Sequence, residues 1–268
     1  MGCRSRCAPK DPRRWWVLTV LALGLLLIAV DATVLNLALP ALAEDVDPSG
    51  TQLLWIIDAY SLVLAGLLVT AGALGDRWGR KRLLLLGAAV FGAASLLAAL
   101  STSAGMLIAA RVLLGVGGAL IMPSTLSILR NVFTDPRERT LAIGVWSAVA
   151  GAGAAVGPIL GGFLLEHFRW GSVFLINLPA MAILLIAGAK LLPESRDPHP
   201  GPWDAPGALL SIAGMVSVVY AIKEAGTLGL FAPKALGIAA FGLLLLGLFV
   251  RRQLHRPVPL LDVGLFRG

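Results

Sequence analysis

The chain has 268 residues, 57% hydrophobic and 14% charged, with a formal charge of +7. Soluble domains run at about 45–50% apolar and about 25% charged, so a water-facing fold could not bury this excess and lipid must be the solvent for much of the surface. The basic residues sit in short turns between apolar runs, a placement that reads as membrane topology and argues against a nucleic-acid partner.

The polar head 1–14 comes first and carries both cysteines, Cys3 and Cys7. On the cytoplasmic side they stay reduced, which leaves them incidental. Gly2 does not open a myristoylation signal, because Arg6 stands where Ser or Thr is required. No small-residue cleavage site follows the first apolar run, so that run is a retained helix and not a signal peptide.

A hydrocarbon core of about 30 Å takes about 20 apolar residues of helix. Such runs occupy 16–39, 53–74, 83–100, 106–129, 141–165, 173–192, 208–223 and 235–250. Breakers and charge separate them at Pro48, Ser49 and Gly50, at 76–82, at Asp135 and Pro136, and over 193–206. Membrane β-strands would alternate in segments of about ten residues, and these runs do not.

On alternate sides of the eight spans the Lys and Arg count is eighteen against three, Arg169, Lys223 and Lys234, with Arg111 inside a span. The bias predicts both termini in the cytoplasm and the acidic turn 44–47 outside. Gly72, Asp76 and Trp78 after the second span are echoed by Gly162, Glu166 and Phe168 after the fifth, 90 residues on. Three spans separate the two, so they face opposite sides, the pattern of an inverted repeat.

Three ionisable residues fall within spans, Asp31, Asp58 and Arg111. Each costs about 2.5–3.5 kcal/mol at a helix centre. Asp31 precedes Pro40 by nine residues, about 13 Å of helix, too deep for its side chain to reach water. It is either a protonatable group facing an internal cavity or a structural hydrogen-bond partner. Asp58 and Arg111 enter their spans less deeply, where an interfacial role and a purely structural pairing compete with function. The histidines 167, 199 and 255 lie scattered in turns without metal-ligand spacing. No nucleophile–base set or phosphate loop is present, and Gly115, Gly117 and Gly118 read as packing glycines. The expectation is a non-enzyme without metal or cofactor.

Asp31, Thr33, Asn36 and Pro40 together resemble the first-helix motif of the fourteen-helix drug:proton antiporters (QacA/EmrB type) of the major facilitator superfamily. Gly72, Asp76, Arg77, Gly79, Arg80, Lys81 and Arg82 are similar to the superfamily's loop motif between helices two and three. Arg111 with Gly115, Gly117 and Gly118 resembles the fourth-helix motif, and Gly153, Gly157, Pro158, Gly161 and Gly162 the fifth-helix antiporter motif. The glycines there recur every four residues and clear one helix face, while Pro158 breaks a backbone hydrogen bond. The stretches 54–66 and 174–179 agree with the same family.

The resemblance implies an all-α membrane fold: a six-helix bundle with an inverted 3+3 repeat over 15–192, a cytoplasmic linker 193–206 and two additional helices over 207–252. The segment 253–268 would lead toward a C-terminal half that this chain lacks. It implies proton-coupled efflux of lipophilic cations, dyes or quaternary ammonium compounds across a bacterial plasma membrane, with Asp31, Asp58 and Arg111 in coupling. Gly72, Asp76, Arg77, Gly79 and Arg80 would form a conformational-switch loop. Trp55 and Tyr60 are candidates for cation–π contact with substrate or for interfacial anchoring. The alternatives are an antiporter for another small solute and an incomplete, non-transporting fragment.

Overall fold

The computed structural model describes residues 12–196, 204–228 and 232–255. Cys3, Cys7, His199 and most of the head, linker and C-terminal stub lie outside them. The described residues form α1 (Arg14–Val46), α2 (Gly50–Trp78), α3 (Arg80–Ala99), α4 (Ala104–Val132), α5 (Pro136–His167), α6 (Ser172–Leu175), α7 (Asn177–Leu191), α8 (Ala205–Leu228) and α9 (Pro233–Leu254), with no strand among them. Counting α6 and α7 as one span, eight helical segments are long and apolar enough to cross a membrane.

Polar residues in the turns start α2, α4 and α5. Ser49 and Gln52 form a reciprocal capping box at α2, with 3.3 and 3.0 Å hydrogen bonds. Ser103 accepts from the Met106 N–H at α4, and Asp135 accepts from the Arg137 N–H at α5, with Pro136 in the first turn. Most helices outrun the apolar stretches by several residues, while α3 and α7 stop one residue short of them at their C-terminal ends. The first apolar run ends at residue 39, yet α1 continues through Pro40 to Val46 and ends on Asp47 in the left-handed region (φ 45°). The sixth span is interrupted at Ile176, between α6 and α7.

The pairing of helices follows an inverted repeat. α1 packs on α5 as α4 packs on α2, α1 meets α7 as α4 meets α3, and α1 and α4 touch each other. Exchanging the two triplets reproduces each pairing. Close approach depends on small residues. A Cβ on Gly117 of α4 would sit 2.9 Å from the Gly87 carbonyl oxygen of α3, and the reverse holds for Gly87. Phe91, Phe174 and the leucines of α1 fill the rest of the core.

At one end Arg14 of α1 pairs with Glu138 of α5 at 3.1 Å. At the other, Asp45 accepts from Arg169 (3.0 Å) and Trp170 (2.7 Å), tying α1 to the segment after α5.

α8 and α9 form a hairpin that meets the bundle through α2. Asp204, buried just ahead of α8, accepts from the Gly207 N–H (3.1 Å), Arg252 (3.0 Å) and Gln253 (3.1 Å), so it caps α8 and clasps the end of α9. Burial pushes its carboxyl up, but the bonds from Gly207, Arg252 and Gln253 with the Arg252 charge outweigh it and hold the carboxyl below the ordinary value. A lowered folded value means the stabilisation is complete above the unfolded value of about 4 and drains away as pH falls through the folded one. The protection factors of the amides in the first turn of α8 should therefore fall on acidification, and Asp204→Asn should show that reduced protection already at neutral pH. Protection at Gly207 that is equal in both proteins at every pH would refute the clasp.

Candidate functional site

Asp31 and Arg111, distant in sequence, meet in the middle of the bundle. An Arg111 Nη1 donates to Asp31 Oδ2 at 2.7 Å, with both side chains 2% exposed or less. The guanidinium also donates from Nε to the Ile56 carbonyl (3.0 Å) and lies 4.5 Å from the centre of the Tyr60 ring. The Tyr60 hydroxyl donates to the Ile28 carbonyl (3.1 Å). Asn177, at the start of α7, donates from Nδ2 to Asp31 Oδ1 (3.2 Å) and to Ser95 Oγ of α3 (3.1 Å). Five helices thus converge on one carboxylate, α1 bearing it and α2, α3, α4 and α7 surrounding it.

A buried pair of this kind survives because removing either charge strands the other. Arg111 matches the role better than Lys would, since its rigid fork serves carboxylate, carbonyl and ring at once. Asp31 is fully enclosed in this conformation rather than open to a cavity. Arg111 is far deeper than its place in the apolar run suggested, because α1 and α2 close over it.

Asp58 is held elsewhere. Its carboxylate pairs with Lys223 of α8, in a pocket of about 90 Å³ also lined by Trp55 and Tyr220, whose rings stack at 6.3 Å between centres. Trp55 is thus available to a ligand of this pocket, whereas Tyr60 is committed to Arg111. Asn177, Ser95, Tyr220 and Lys223 are contributors that the sequence reading did not single out. The signal present for Asn177 was an amide in an apolar run two residues before Pro179.

The loop motif lies at the end rich in arginine. Asp76 accepts from Arg80 one turn on (2.6 Å). Together with Gly72, Pro123, Arg130 and Trp146 these two line a cleft of about 460 Å³ between α2 and α4. Arg77 lies beside it in a second pocket with Trp78, Arg82 and Arg196. The segment after α7 caps α3: the Ser195 carbonyl accepts from the Arg80 N–H (2.8 Å) and the Glu194 carboxylate from the Lys81 N–H (3.2 Å). Gly79 makes room for this. Its φ of 102° suits glycine, and a Cβ there would stand 2.5 Å from Glu194 Oε1. Gly79→Ala should destabilise the protein by about 1–3 kcal/mol. Gly72→Ala should be nearly silent, since its Cβ would meet nothing closer than 4.0 Å. Thermal midpoints that shift alike in the two variants would contradict this.

In α5, Gly153, Gly157 and Gly161 face α1, where a side chain would strike Ala29, Thr33 and Val34 respectively. Pro158 and Gly162 are exposed on the other side of the helix. The four-residue glycine spacing therefore marks the α1–α5 contact.

Residues 21–266 match the profile of the Major Facilitator Superfamily. The chain is 55% identical over 259 residues to the multidrug efflux pump LfrA of Mycolicibacterium smegmatis, covering 96% of this chain and 51% of that protein. It is 46% identical to the methyl viologen resistance protein SmvA of Salmonella typhimurium, covering 95% and 51%. The chain thus spans about half the length of these relatives. Among solved structures, the human organic anion transporter MFSD10 superposes with a TM-score of 0.61 at 21% identity, over 78% of this chain and 55% of that one. The peptide transporter POT superposes with a TM-score of 0.62 at 14% identity, over 78% and 51%. At these identities the structural matches speak for the fold.

Proposed function

The chain belongs to the Major Facilitator Superfamily, and on that premise we propose that it is the N-terminal portion of a proton-coupled exporter of lipophilic cations. The observation that carries this is the enclosed Asp31–Arg111 pair. An ionisable acid inside a membrane bundle marks a transport route, and a carboxylate can be neutralised by a proton or by a cationic drug in turn. When the carboxylate is neutralised, Arg111, its partner at 2.7 Å, carries the net charge of the site. The drug-resistance names of the relatives support the same reading of substrate class.

In this proposal residues 15–192 are the six-helix half, and α8 and α9 are additional to it, as in a fourteen-helix antiporter. The partner of the bundle is a C-terminal half of the same protein. The loop with Asp76, Arg77 and Arg80, clasped by Glu194 and Ser195, is the conformational switch on the cytoplasmic face. Gly153, Gly157 and Gly161 with Pro158 let α1 and α5 move together. The charge asymmetry supports both termini on the cytoplasmic side of a bacterial inner membrane. Asp58 with Trp55 forms a second, shallower cation contact, guarded by Lys223.

The complete protein in liposomes, with the membrane potential clamped, tests the function. An imposed proton gradient is expected to drive tetraphenylphosphonium uphill, and a protonophore to abolish that movement. Equal accumulation with and without the gradient would end the proton-coupled reading.

A further inference from the structure

We propose that Asn177 is a positioning residue whose side-chain amide turns over when Asp31 gains a proton, donating to the carboxylate in one state and accepting from the carboxylic acid in the other. The inference rests on the reading of Asp31 as a proton site given above, and it adds how the bundle senses that proton.

Asn177 is fully buried. Its Nδ2 serves both Asp31 Oδ1 and Ser95 Oγ, while its Oδ1 has no hydrogen-bond partner among the described residues. A buried amide oxygen left unpaired is costly, and here it means that the amide is held by one end only. Both groups holding that end can work in reverse: a hydroxyl donates as readily as it accepts, and a protonated carboxyl becomes a donor.

The charge arrangement decides where an incoming proton rests. Asp31 Oδ2 faces Arg111 Nη1, and a guanidinium has donors only, so the proton settles on Oδ1. The remaining neighbours do not compete for it. Tyr60 of α2 gives its hydroxyl to Ile28 and its ring to Arg111, α3 and α7 offer the neutral Ser95 and Asn177, and α5 presents its glycines to α1.

Once Oδ1 carries hydrogen, it confronts the N–H of Asn177 donor to donor. A half-turn of the amide removes the conflict. Oδ1 of Asn177 then stands where Nδ2 stood and accepts from the Asp31 O–H and the Ser95 O–H. Two hydrogen bonds are reversed and no third bond is broken. One proton has been added to Asp31, and the Asp31–Arg111 pair goes from neutral to a net single positive charge. The protonation state of α1 is thereby written into α7 and α3 as the polarity of two hydrogen bonds.

Infrared difference spectroscopy of the chain in lipid, acid minus alkaline, reads this directly. The chain contains three asparagines, and Asn36 and Asn131 are exposed. Isotope-labelled asparagine in an Asn36→Gln/Asn131→Gln background therefore reports Asn177 alone, without altering the residue in question. The Asn177 amide carbonyl band is expected to shift with the same midpoint as the Asp31 carboxyl band and to stop responding in Asp31→Asn. Ser95→Ala, which removes one hydroxyl, is expected to move the band in both states. An Asp31 carboxyl that titrates beside an unresponsive Asn177 band would overturn the amide turnover and leave the proton site standing. An Asp31 that shows no titrating band would overturn both.

Discussion

Asp31→Asn is expected to abolish proton-driven cation export while the protein still inserts and folds. The substitution removes the titrating group and the only negative charge facing Arg111 among the groups described at the node. The fold should persist because Arg111 keeps its bond to the Ile56 carbonyl and its place on the Tyr60 ring, and an amide at position 31 can still accept from the guanidinium. Asp31→Glu retains charge and titration with shifted geometry, so part of the activity should return. Gradient-driven uptake and its pH profile, measured for both variants in liposomes, decide the matter. Transport by Asp31→Asn at the parental rate with an unchanged pH profile would make Asp31 a structural residue.

The second large effect is on stability. Arg111→Met leaves a carboxylate sealed in the bundle with only Asn177 to bond it, and breaking a buried pair from one side costs about 3–5 kcal/mol. The loss should exceed that of Arg82→Met, since Arg82 is exposed and only 3.6 Å at best from Glu194. Pairing Arg111→Met with Asp31→Asn should recover much of the difference, because neither charge is then stranded. Unfolding midpoints in detergent for the single and double variants form the cycle. A double variant as unstable as the sum of its parts would mean that the two residues do not act on each other.

The spans and the family were legible because both rest on strong, local signals: long apolar runs, and motifs whose glycines and charges keep fixed spacing. Asp31 and Arg111 stood out for the same reason, since a charge in a span is conspicuous. Their mutual contact was not legible, because 80 residues separate them and no spacing rule reaches across helices. Arg111 looked shallow because depth along one helix says nothing about what packs over it. Asn177 and Ser95 escaped notice because small neutral polar residues hardly disturb hydropathy. Pro40 lies inside α1. Losing one backbone donor did not stop a helix whose remaining hydrogen bonds and buried neighbours, Ala38 and Leu42 among them, hold it. Asp58 was legible as an anomaly, but its partner lies on α8, outside the six-helix unit.

The α8–α9 hairpin, clasped at its open end by Asp204, is a matter of parity. Two crossings return the chain to the side from which it left, so any segment downstream meets the membrane from the same face whether or not the hairpin is present. An odd insertion would have turned everything after it upside down. The hairpin meets the bundle through α2, so this even number of crossings adds lateral contact without reorienting the rest.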